Sequence, residues 1–271
     1  MVVGTTSQIT KAPLILAVET SSRVGSIALA LGSELVAESR FSAPLRHSVE
    51  IFPAIRDMLD RAGRTPSQIE HVYVSFGPGS FSGLRIATTL AKMMNLANGA
   101  RIVSVDTLDV VAANVVDLTG ADRESSPDQQ TPGAGCKKLA AVLDAKRGHF
   151  FVAVYERKAK TGGARPDAQD AECKAGVWSK VLADSLMTAP EFIAQFADGQ
   201  EPLWLLGDGL VYYQNDFRTD GICFFEQTYW SPQARSVHAL GWQMALRGQF
   251  AEPLTLTPNY LRKPDITMKS R

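Results

Sequence analysis

The chain has 271 residues, a formal net charge of zero and a hydrophobic fraction of 45%. This length suits one large domain or two small ones, and the composition is typical of a globular protein. The charge balance gives no sign of a broad nucleic-acid-binding surface, and no apolar run has the length of a membrane span.

Two further features concern the cellular compartment. The first 13 residues have neither a charged segment nor a long apolar segment of the kind found in signal peptides. The three cysteines, Cys136, Cys173 and Cys223, are odd in number and far apart, which argues against a disulfide framework and against a zinc site. We therefore expect a cytoplasmic protein with no membrane association.

The first part of the chain alternates short apolar runs with amphipathic segments. The predicted elements are strands 14–19, 25–31 and 34–41, helix 47–62, strand 72–76, helix 84–98, strand 101–105 and helix 107–116. The resulting order, βββαβαβα, joins an antiparallel triplet to two helix-to-strand crossovers. It differs from the strand–helix–strand opening of a Rossmann domain.

The second part repeats this theme in a degraded form, with polar insertions at 117–136 and 158–176. Its predicted elements are strands 139–144 and 149–156, a helix from about 188 to 197, strand 203–206 and helix 233–246. The repetition predicts a duplicated domain. The predicted divisions are a flexible N-terminus (1–13), a first subdomain (14–116), a second subdomain (117–232) and a C-terminal helix and tail that pack back on both (233–271).

A glycine-rich turn, residues 77–83, joins a predicted strand to a predicted helix. Such a turn can hold an anion at the helix start, or it can serve only to pack the helix tightly on the strand. The Walker A motif is excluded because Leu84 follows the last glycine, and the dinucleotide fingerprint is excluded because the glycine spacing is one residue too long. The candidate contacts for a nucleotide are Gly77, Gly79, Ser80 and Gly83.

The two helices of the first subdomain each carry an apolar stripe. The stripe residues are Ile51, Ile55, Leu59 and Ala62 on the first helix and Ile86, Leu90, Met93, Met94 and Ala97 on the second. The second helix also has a face of small residues, so it can pack against two neighbours. One is the protein's own sheet, and the other is its own second helix or a partner chain.

No pattern of catalytic or metal-binding residues is found in the sequence. The four histidines do not have the spacing of a helix-borne metal pair, and no serine lies in a G-x-S-x-G frame. Asp144 and Asp208 each end a predicted strand beside a glycine-containing turn. Such aspartates bind magnesium through water in phosphoryl-transfer clefts, or they bond to their own backbone in turns.

Seven stretches carry a family resemblance. In chain order they are AVETSSRVGSIAL, LRHSVEIFPAI, VSFGPGSFSGLRIATTLAKMMNLA, VDTL, LDAKRGHFFVAVYE, GDG and LTPNYLRKP. Together they resemble the TsaB (YeaZ) family of the ASKHA (actin, sugar kinase, Hsp70-like) superfamily, from about residue 14 to residue 264. The GPGSFSGLR block is specific, whereas VETS also occurs in the catalytic paralogue TsaD. The two polar insertions are longer than the family pattern implies.

The resemblance implies a two-domain actin-like (ribonuclease H-like) α/β fold in which helices flank a mixed sheet in each domain. It also implies a non-catalytic subunit that binds and supports TsaD, together with the ATPase TsaE, in forming N6-threonylcarbamoyladenosine in tRNA next to the anticodon. The implied partners are TsaD in a heterodimer, a second copy when TsaD is absent, and tRNA only through the complex. No tightly bound cofactor is implied, and ATP or ADP and magnesium enter at the level of the complex.

In this family the partner interface is built from the two helices of the first domain. The residues of this chain that match it are His47, Ile51, Ile55, Leu59, Ile86, Leu90, Met93 and Met94. The alternative function is a stand-alone ATPase or peptidase-like enzyme. It is motivated by the glycine-rich turn and by Asp144 and Asp208.

Overall fold

The computed structural model describes residues 12–115, 136–157, 178–197 and 201–262. Within these residues the chain folds into two lobes, each built on a five-stranded mixed sheet. The strands are β1 (Leu14–Glu19), β2 (Ser26–Leu31), β3 (Glu34–Arg40), β4 (Ile69–Gly77), β5 (Arg101–Asp106), β6 (Lys138–Asp144), β7 (His149–Arg157), β8 (Trp178–Thr188), β9 (Leu203–Leu206) and β10 (Ile222–Phe224).

Six α-helices accompany these strands in the described residues. They are α1 (His47–Arg61), α2 (Phe81–Asn98), α3 (Thr107–Ala113), α4 (Ala189–Phe196), α5 (Leu210–Tyr213) and α6 (Ala234–Leu246). Local sequence accounts for several of the helix ends. The Thr188 and Glu191 side chains cap the start of α4 reciprocally, and Gly99 ends α2 with the left-handed φ of +71°.

The two sheets have the same topology. The first is ordered β3-β2-β1-β4-β5 and the second β8-β7-β6-β9-β10. In each sheet the first three strands in chain order form an antiparallel meander, and the next two are added in parallel beside the first strand. This equivalence confirms the predicted α/β fold with two mixed sheets, and it agrees with a duplicated domain.

Both faces of the first sheet are covered, and each covering layer has its own core. One face packs against α1 and α2 through Ile51, Leu59 and Leu90, among others. The opposite face packs against α6 through Val237. The core of the second lobe lies around β6 and β7, and α3 packs into it through Leu108 and Val111. Helix α3 therefore joins the two lobes by burying apolar surface.

Three elements were missed from the sequence: β8, α5 and β10. The strand β8 is an edge strand whose residues are mostly half-buried, so it lacks the alternation that marks a strand with one buried face. The elements α5 and β10 have only four and three residues, too few for a periodic pattern.

Some predictions concern residues outside the described ranges. These are most of the N-terminal segment 1–13, nearly all of the insertions 117–136 and 158–176, and the tail beyond residue 262. The predicted subdomain boundaries stay predictions. In the ranges that are described, no helix combines the length and apolar character needed to cross a membrane.

Candidate functional site: an inter-lobe cleft and an exposed helical face

The glycine-rich turn is filled by the protein's own backbone. A Cβ atom at Gly83 would lie 1.8 Å from the Thr20 carbonyl oxygen, and one at Gly79 would lie 2.6 Å from the Ser21 carbonyl oxygen. The Thr20 hydroxyl donates to the Gly83 carbonyl at 2.7 Å, which holds the two segments together. These glycines therefore allow the turn after β1 to pack directly on the start of α2.

The backbone amides of the turn are partly used within the chain. The Ser80 amide donates to the Ser21 carbonyl at 2.7 Å. The Gly83 amide donates to the Ser80 hydroxyl at 3.4 Å, so Ser80 caps α2. An anion at this helix start would have to compete with these internal hydrogen bonds.

A buried carboxylate, Glu19, lies at the end of the central strand β1. Its Oε1 atom accepts hydrogen bonds from the Ser21 amide at 2.6 Å and from the Ser21 hydroxyl at 2.5 Å. Its Oε2 atom accepts one from the Ser75 hydroxyl. Burial raises the pKa of Glu19, and the hydrogen bonds from the two serines act in the opposite direction. Both carboxylate oxygens of Glu19 thus accept hydrogen bonds from neighbouring serines.

A cleft of about 500 Å³ opens between the two lobes. The first lobe contributes the turns after β1 and β4, and the second contributes the β6–β7 turn and the start of α5. The charged residues that line it are Arg23, Asp144, Lys146, Asp208 and Arg262. The Asp144 carboxylate accepts from both the amide and the ammonium group of Lys146, at 2.7 and 2.5 Å. Across the described part of the chain, no group of three or more His, Cys, Asp or Glu residues is arranged to hold a metal ion.

A second feature of the first lobe is an apolar surface on α1 and α2. These helices contact each other, and both pack on one face of the first sheet. Their outer sides expose large apolar residues: Val49 (60% exposed), Phe52 (54%), Met93 (52%) and Leu96 (89%). We call these four residues the helical face. Val49 and Phe52 lie in the first turns of α1, and Met93 and Leu96 lie in the last turns of α2. Exposed apolar residues on neighbouring helices are a feature of interaction surfaces.

Comparisons with known proteins agree on one group of relatives. A family model described as "TsaD: tRNA N6-adenosine threonylcarbamoyltransferase" matches residues 42–175. The tRNA threonylcarbamoyladenosine biosynthesis protein TsaB of Bacillus subtilis is 25% identical over 193 residues, which cover 71% of this chain and 70% of that protein. The protein of the same name in Escherichia coli is 23% identical over 249 residues, which cover 92% of this chain and 94% of that protein.

The same relationship is seen among solved structures. The structure of YeaZ from Pseudomonas aeruginosa superimposes with a TM-score of 0.69 at 21% identity, covering 92% of this chain and all of that one. The chain is similar to the TsaB (YeaZ) proteins in sequence and in fold. These similarities confirm the predicted resemblance to TsaB (YeaZ) and the predicted α/β fold with two mixed sheets.

The structure places most of the predicted interface residues inside the first lobe. Five of the eight predicted side chains are buried within the lobe: His47, Ile51, Ile55, Leu59 and Leu90. Ile86 and Met94 are half-buried against the same core, and Met93 alone belongs to the helical face. On α1 the predicted stripe is the side that packs on the sheet. On α2 the face of small residues, with Ala87 and Ala91, packs on the sheet instead, and only Leu90 of the predicted stripe is fully buried.

The residues of the helical face could have been found from a different signal. Val49 and Phe52 lie three positions apart on α1, off the core stripe, where a surface helix normally has polar residues. Leu96 has the same position relative to Met93 on α2. Val49, Phe52 and Leu96 are thus apolar residues outside the predicted stripes, whereas Met93 belongs to the predicted stripe of the second helix.

The predicted nucleotide contacts have a structural role in this chain. Gly77, Gly79 and Gly83 each lie against backbone of another segment, and Ser80 caps a helix. Of the four, Gly79 and Ser80 line the cleft. His47 is likewise inside the lobe, with its Nε2 atom 2.9 Å from the Ser22 carbonyl, and burial lowers its pKa.

The cleft aspartate Asp208 gives a pH-dependent prediction. Burial raises the pKa of Asp208 to about 7; a backbone hydrogen bond from Asp144 opposes this shift, and the charge of Asp144 adds to it. The charge of Lys146 opposes the shift and that of Glu19 adds to it. The folded chain therefore holds a proton that the unfolded chain, with an aspartate pKa of about 3.9, releases. The free energy of unfolding falls as pH rises from about 4 to about 7 because of this group.

Asp208→Asn removes this contribution. We expect the stability difference between variant and wild type to shift in favour of the variant as pH rises, by at most about 1.4 kcal/mol per pH unit, and to level off above pH 7. Urea denaturation at pH 5, 6, 7 and 8 measures the difference directly. A difference that is constant over this range would show that Asp208 titrates alike in both states.

Proposed function

We propose that this chain is a non-catalytic partner subunit that binds and supports a TsaD-like subunit in the N6-threonylcarbamoylation of adenosine in tRNA, next to the anticodon. The named relatives are tRNA threonylcarbamoyladenosine biosynthesis proteins, which supports the pathway. A TsaE-like ATPase completes the proposed assembly, which acts in the cytoplasm. Transfer RNA contacts this chain only through the complex.

The observation that carries this proposal is the helical face. Val49, Phe52, Met93 and Leu96 lie on the outer side of two helices whose inner sides already complete the core. Their exposure has no role in the stability of the lobe itself. Aromatic residues and methionine, such as Phe52 and Met93, are enriched at the centres of protein interfaces. In the absence of the TsaD-like subunit, the same face pairs with a second copy of this chain.

The cleft supports the non-catalytic part of the proposal. Glu19 has both oxygens engaged by Ser21 and Ser75, and Asp144 is paired with Lys146. Catalytic carboxylates in phosphoryl transfer need oxygens that can reach a metal ion or an attacking water. We accordingly propose no cofactor bound tightly by this chain alone, with ATP or ADP and magnesium entering at the complex level.

Co-purification of the full chain with its cognate TsaD-like subunit tests the proposal. We expect a stable one-to-one complex by size-exclusion chromatography with light scattering, and threonylcarbamoylation of tRNA only when both subunits and the ATPase are present. A dimer of the isolated chain that is replaced by the heterodimer would support a shared face. Failure of the two subunits to associate would refute the proposal.

The alternative function is a stand-alone ATPase or peptidase-like enzyme. Calorimetry on the purified chain distinguishes this enzyme from the proposed non-catalytic subunit. Binding of magnesium–ATP in the micromolar range, with turnover that is lost in Asp144→Asn, would favour the enzyme. The internal hydrogen bonds of Ser80 and Gly83 favour the opposite result, which is the one we expect.

A further inference from the structure

We propose that residues 259–262 form a latch that holds the two lobes at a fixed separation across the mouth of the cleft. This latch segment leaves the first lobe at the glycine-rich turn and reaches the β6–β7 turn of the second lobe. The inference rests on contacts of the described residues and is independent of the proposed partner.

One end of the latch segment is attached to the first lobe by its backbone. The Asn259 amide donates to the Phe76 carbonyl, the last but one residue of β4, at 2.7 Å. Gly77 follows with a φ of +127°, and a Cβ atom there would lie 2.4 Å from the Asn259 carbonyl oxygen. The junction between β4 and the turn is therefore shaped to receive the chain at residue 259.

An aromatic contact continues the attachment at the start of α2. The rings of Tyr260 and Phe81 are 4.9 Å apart between centroids. On the same Phe81 ring, the guanidinium group of Arg85 lies 3.9 Å from the centroid. Ring pairs and cation–π contacts at these distances are favourable, so the latch segment is fixed to the helix that carries Met93 and Leu96.

The other end crosses to the second lobe through one side chain. A single guanidinium nitrogen of Arg262, Nη1, donates to the Ala145 carbonyl at 2.7 Å and to the Lys146 carbonyl at 2.9 Å. Lys146 has a φ of +68°, a conformation that is uncommon for a residue with a side chain. Arg147 also has a positive φ, of +57°, as is usual in the tight turn of a hairpin, and the carbonyl groups of this β6–β7 turn are the ones that Arg262 reaches.

The lobes are joined elsewhere by a contact of a different kind. Helix α3 packs into the core of the second lobe, and Lys180 of β8 lies 2.7 Å from the Asp109 carboxylate of α3. No α3 residue lines the cleft. The apolar contact of α3 lies away from the cleft and joins the lobes as a hinge would. The hydrogen bonds of Arg262 lie at the cleft and hold the lobes together there.

A second contact crosses the cleft, but it is weaker. The Arg23 guanidinium group lies over the Tyr212 ring at 5.4 Å, and both side chains are exposed. Exposed cation–π pairs contribute less than charge-assisted hydrogen bonds to backbone carbonyls. Loss of the Arg262 contacts should therefore dominate the lobe separation.

Distance measurements on the full chain test the latch. Spin labels attached to a non-natural residue at Arg56 of the first lobe and Asn215 of the second report the lobe separation while the native cysteines stay in place. In Arg262→Met we expect the ratio of long to short distances to rise about tenfold or more, because two charge-assisted hydrogen bonds are lost. Arg262→Lys keeps a hydrogen-bond donor, so its ratio of long to short distances should lie between those of the wild type and Arg262→Met. Arg247→Met, at the exposed end of α6, is the matched control and should leave the distribution unchanged.

Amide hydrogen exchange supplies the second readout. Protection of the Asn259 amide should fall by about tenfold or more in Arg262→Met, since opening of the latch also exposes its first anchor. If this protection falls while the distance distribution matches that of the wild type, residues 259–262 are a locally packed tail and the latch is refuted. Unchanged protection and unchanged distances would refute it as well.

Discussion

Replacing Phe52 with aspartate is expected to abolish binding to a TsaD-like subunit while the chain stays folded. Phe52 is half-exposed on the outer side of α1, so a carboxylate there remains hydrated in the free subunit. In the proposed complex the same carboxylate would be buried without a partner, which is unfavourable. We expect the dissociation constant to rise at least about 100-fold, equivalent to about 2.7 kcal/mol, as for a residue at the centre of an interface.

A second variant and a matched control make this result specific to the helical face. Leu96→Asp changes the most exposed residue of the face on α2 and should weaken binding in the same direction. Leu246→Asp introduces the same charge at an exposed apolar position at the end of α6, the helix on the opposite face of the first sheet. It should bind as the wild type does. Calorimetric titration gives the affinities, and circular dichroism checks that all three variants are folded.

The outcome that contradicts the prediction is equally defined. If Phe52→Asp and Leu96→Asp both bind within about threefold of the wild type, less than 1 kcal/mol, the helical face is not the interface. A variant such as Ile55→Asp does not answer the question. Ile55 is only 8% exposed and lies in the core between α1 and the sheet, so an aspartate there would unfold the lobe before binding is tested.

The contrast between Ile55 and Phe52 shows how far sequence periodicity reaches. The stripe through Ile51, Ile55 and Leu59 correctly predicted an amphipathic helix, but the pattern has no information on what covers the stripe. A buried sheet and a partner chain both select apolar residues at this spacing. The burial of these residues in the monomer shows that the sheet covers it, and the interface has to be sought among residues that break the pattern.

Some strands could be predicted from the sequence and others could not. The runs that form β1, β4 and β9 were predicted because they are continuous, apolar and central to a sheet. The order of elements along the first lobe, βββαβαβα, was also predicted. The edge strand β8 was missed, since a strand with one neighbour and partial exposure needs no regular alternation.

The sequence named four residues that line the cleft, Gly79, Ser80, Asp144 and Asp208, but the contacts that bring distant segments together there could not be predicted. Thr20 and Gly83 are 63 residues apart, yet they are joined by a hydrogen bond of 2.7 Å. Arg262 reaches Ala145 across 117 residues. Such contacts depend on the tertiary arrangement of turns, and a local pattern specifies only that each turn exists.

Gly83→Ala is expected to be the most destabilising single-methyl change in the first lobe. The added Cβ atom would lie 1.8 Å from the Thr20 carbonyl oxygen and 2.9 Å from its carbonyl carbon. Backbone on both sides must then move apart, which also breaks the hydrogen bond from the Thr20 hydroxyl to the Gly83 carbonyl. We expect a loss of about 3 kcal/mol or more in the free energy of unfolding, measured by urea denaturation.

Two controls separate this clash from other effects. Ser82→Ala, at the exposed neighbouring position, should change stability by less than about 0.5 kcal/mol. Gly99→Ala has free space around the new Cβ atom but keeps a φ of +71°, so it isolates the backbone penalty of about 1 kcal/mol.

The result also separates the two interpretations of the glycine-rich turn. If the glycines existed to leave room for a bound anion, Gly83→Ala would cost ligand affinity and little stability in the empty protein. If they exist to pack the turn after β1 on α2, as the contacts of Gly83 with Thr20 indicate, the loss of stability appears without any ligand. A change within about 1 kcal/mol of the wild type would show that the Thr20 turn moves freely, and would return the anion site to consideration.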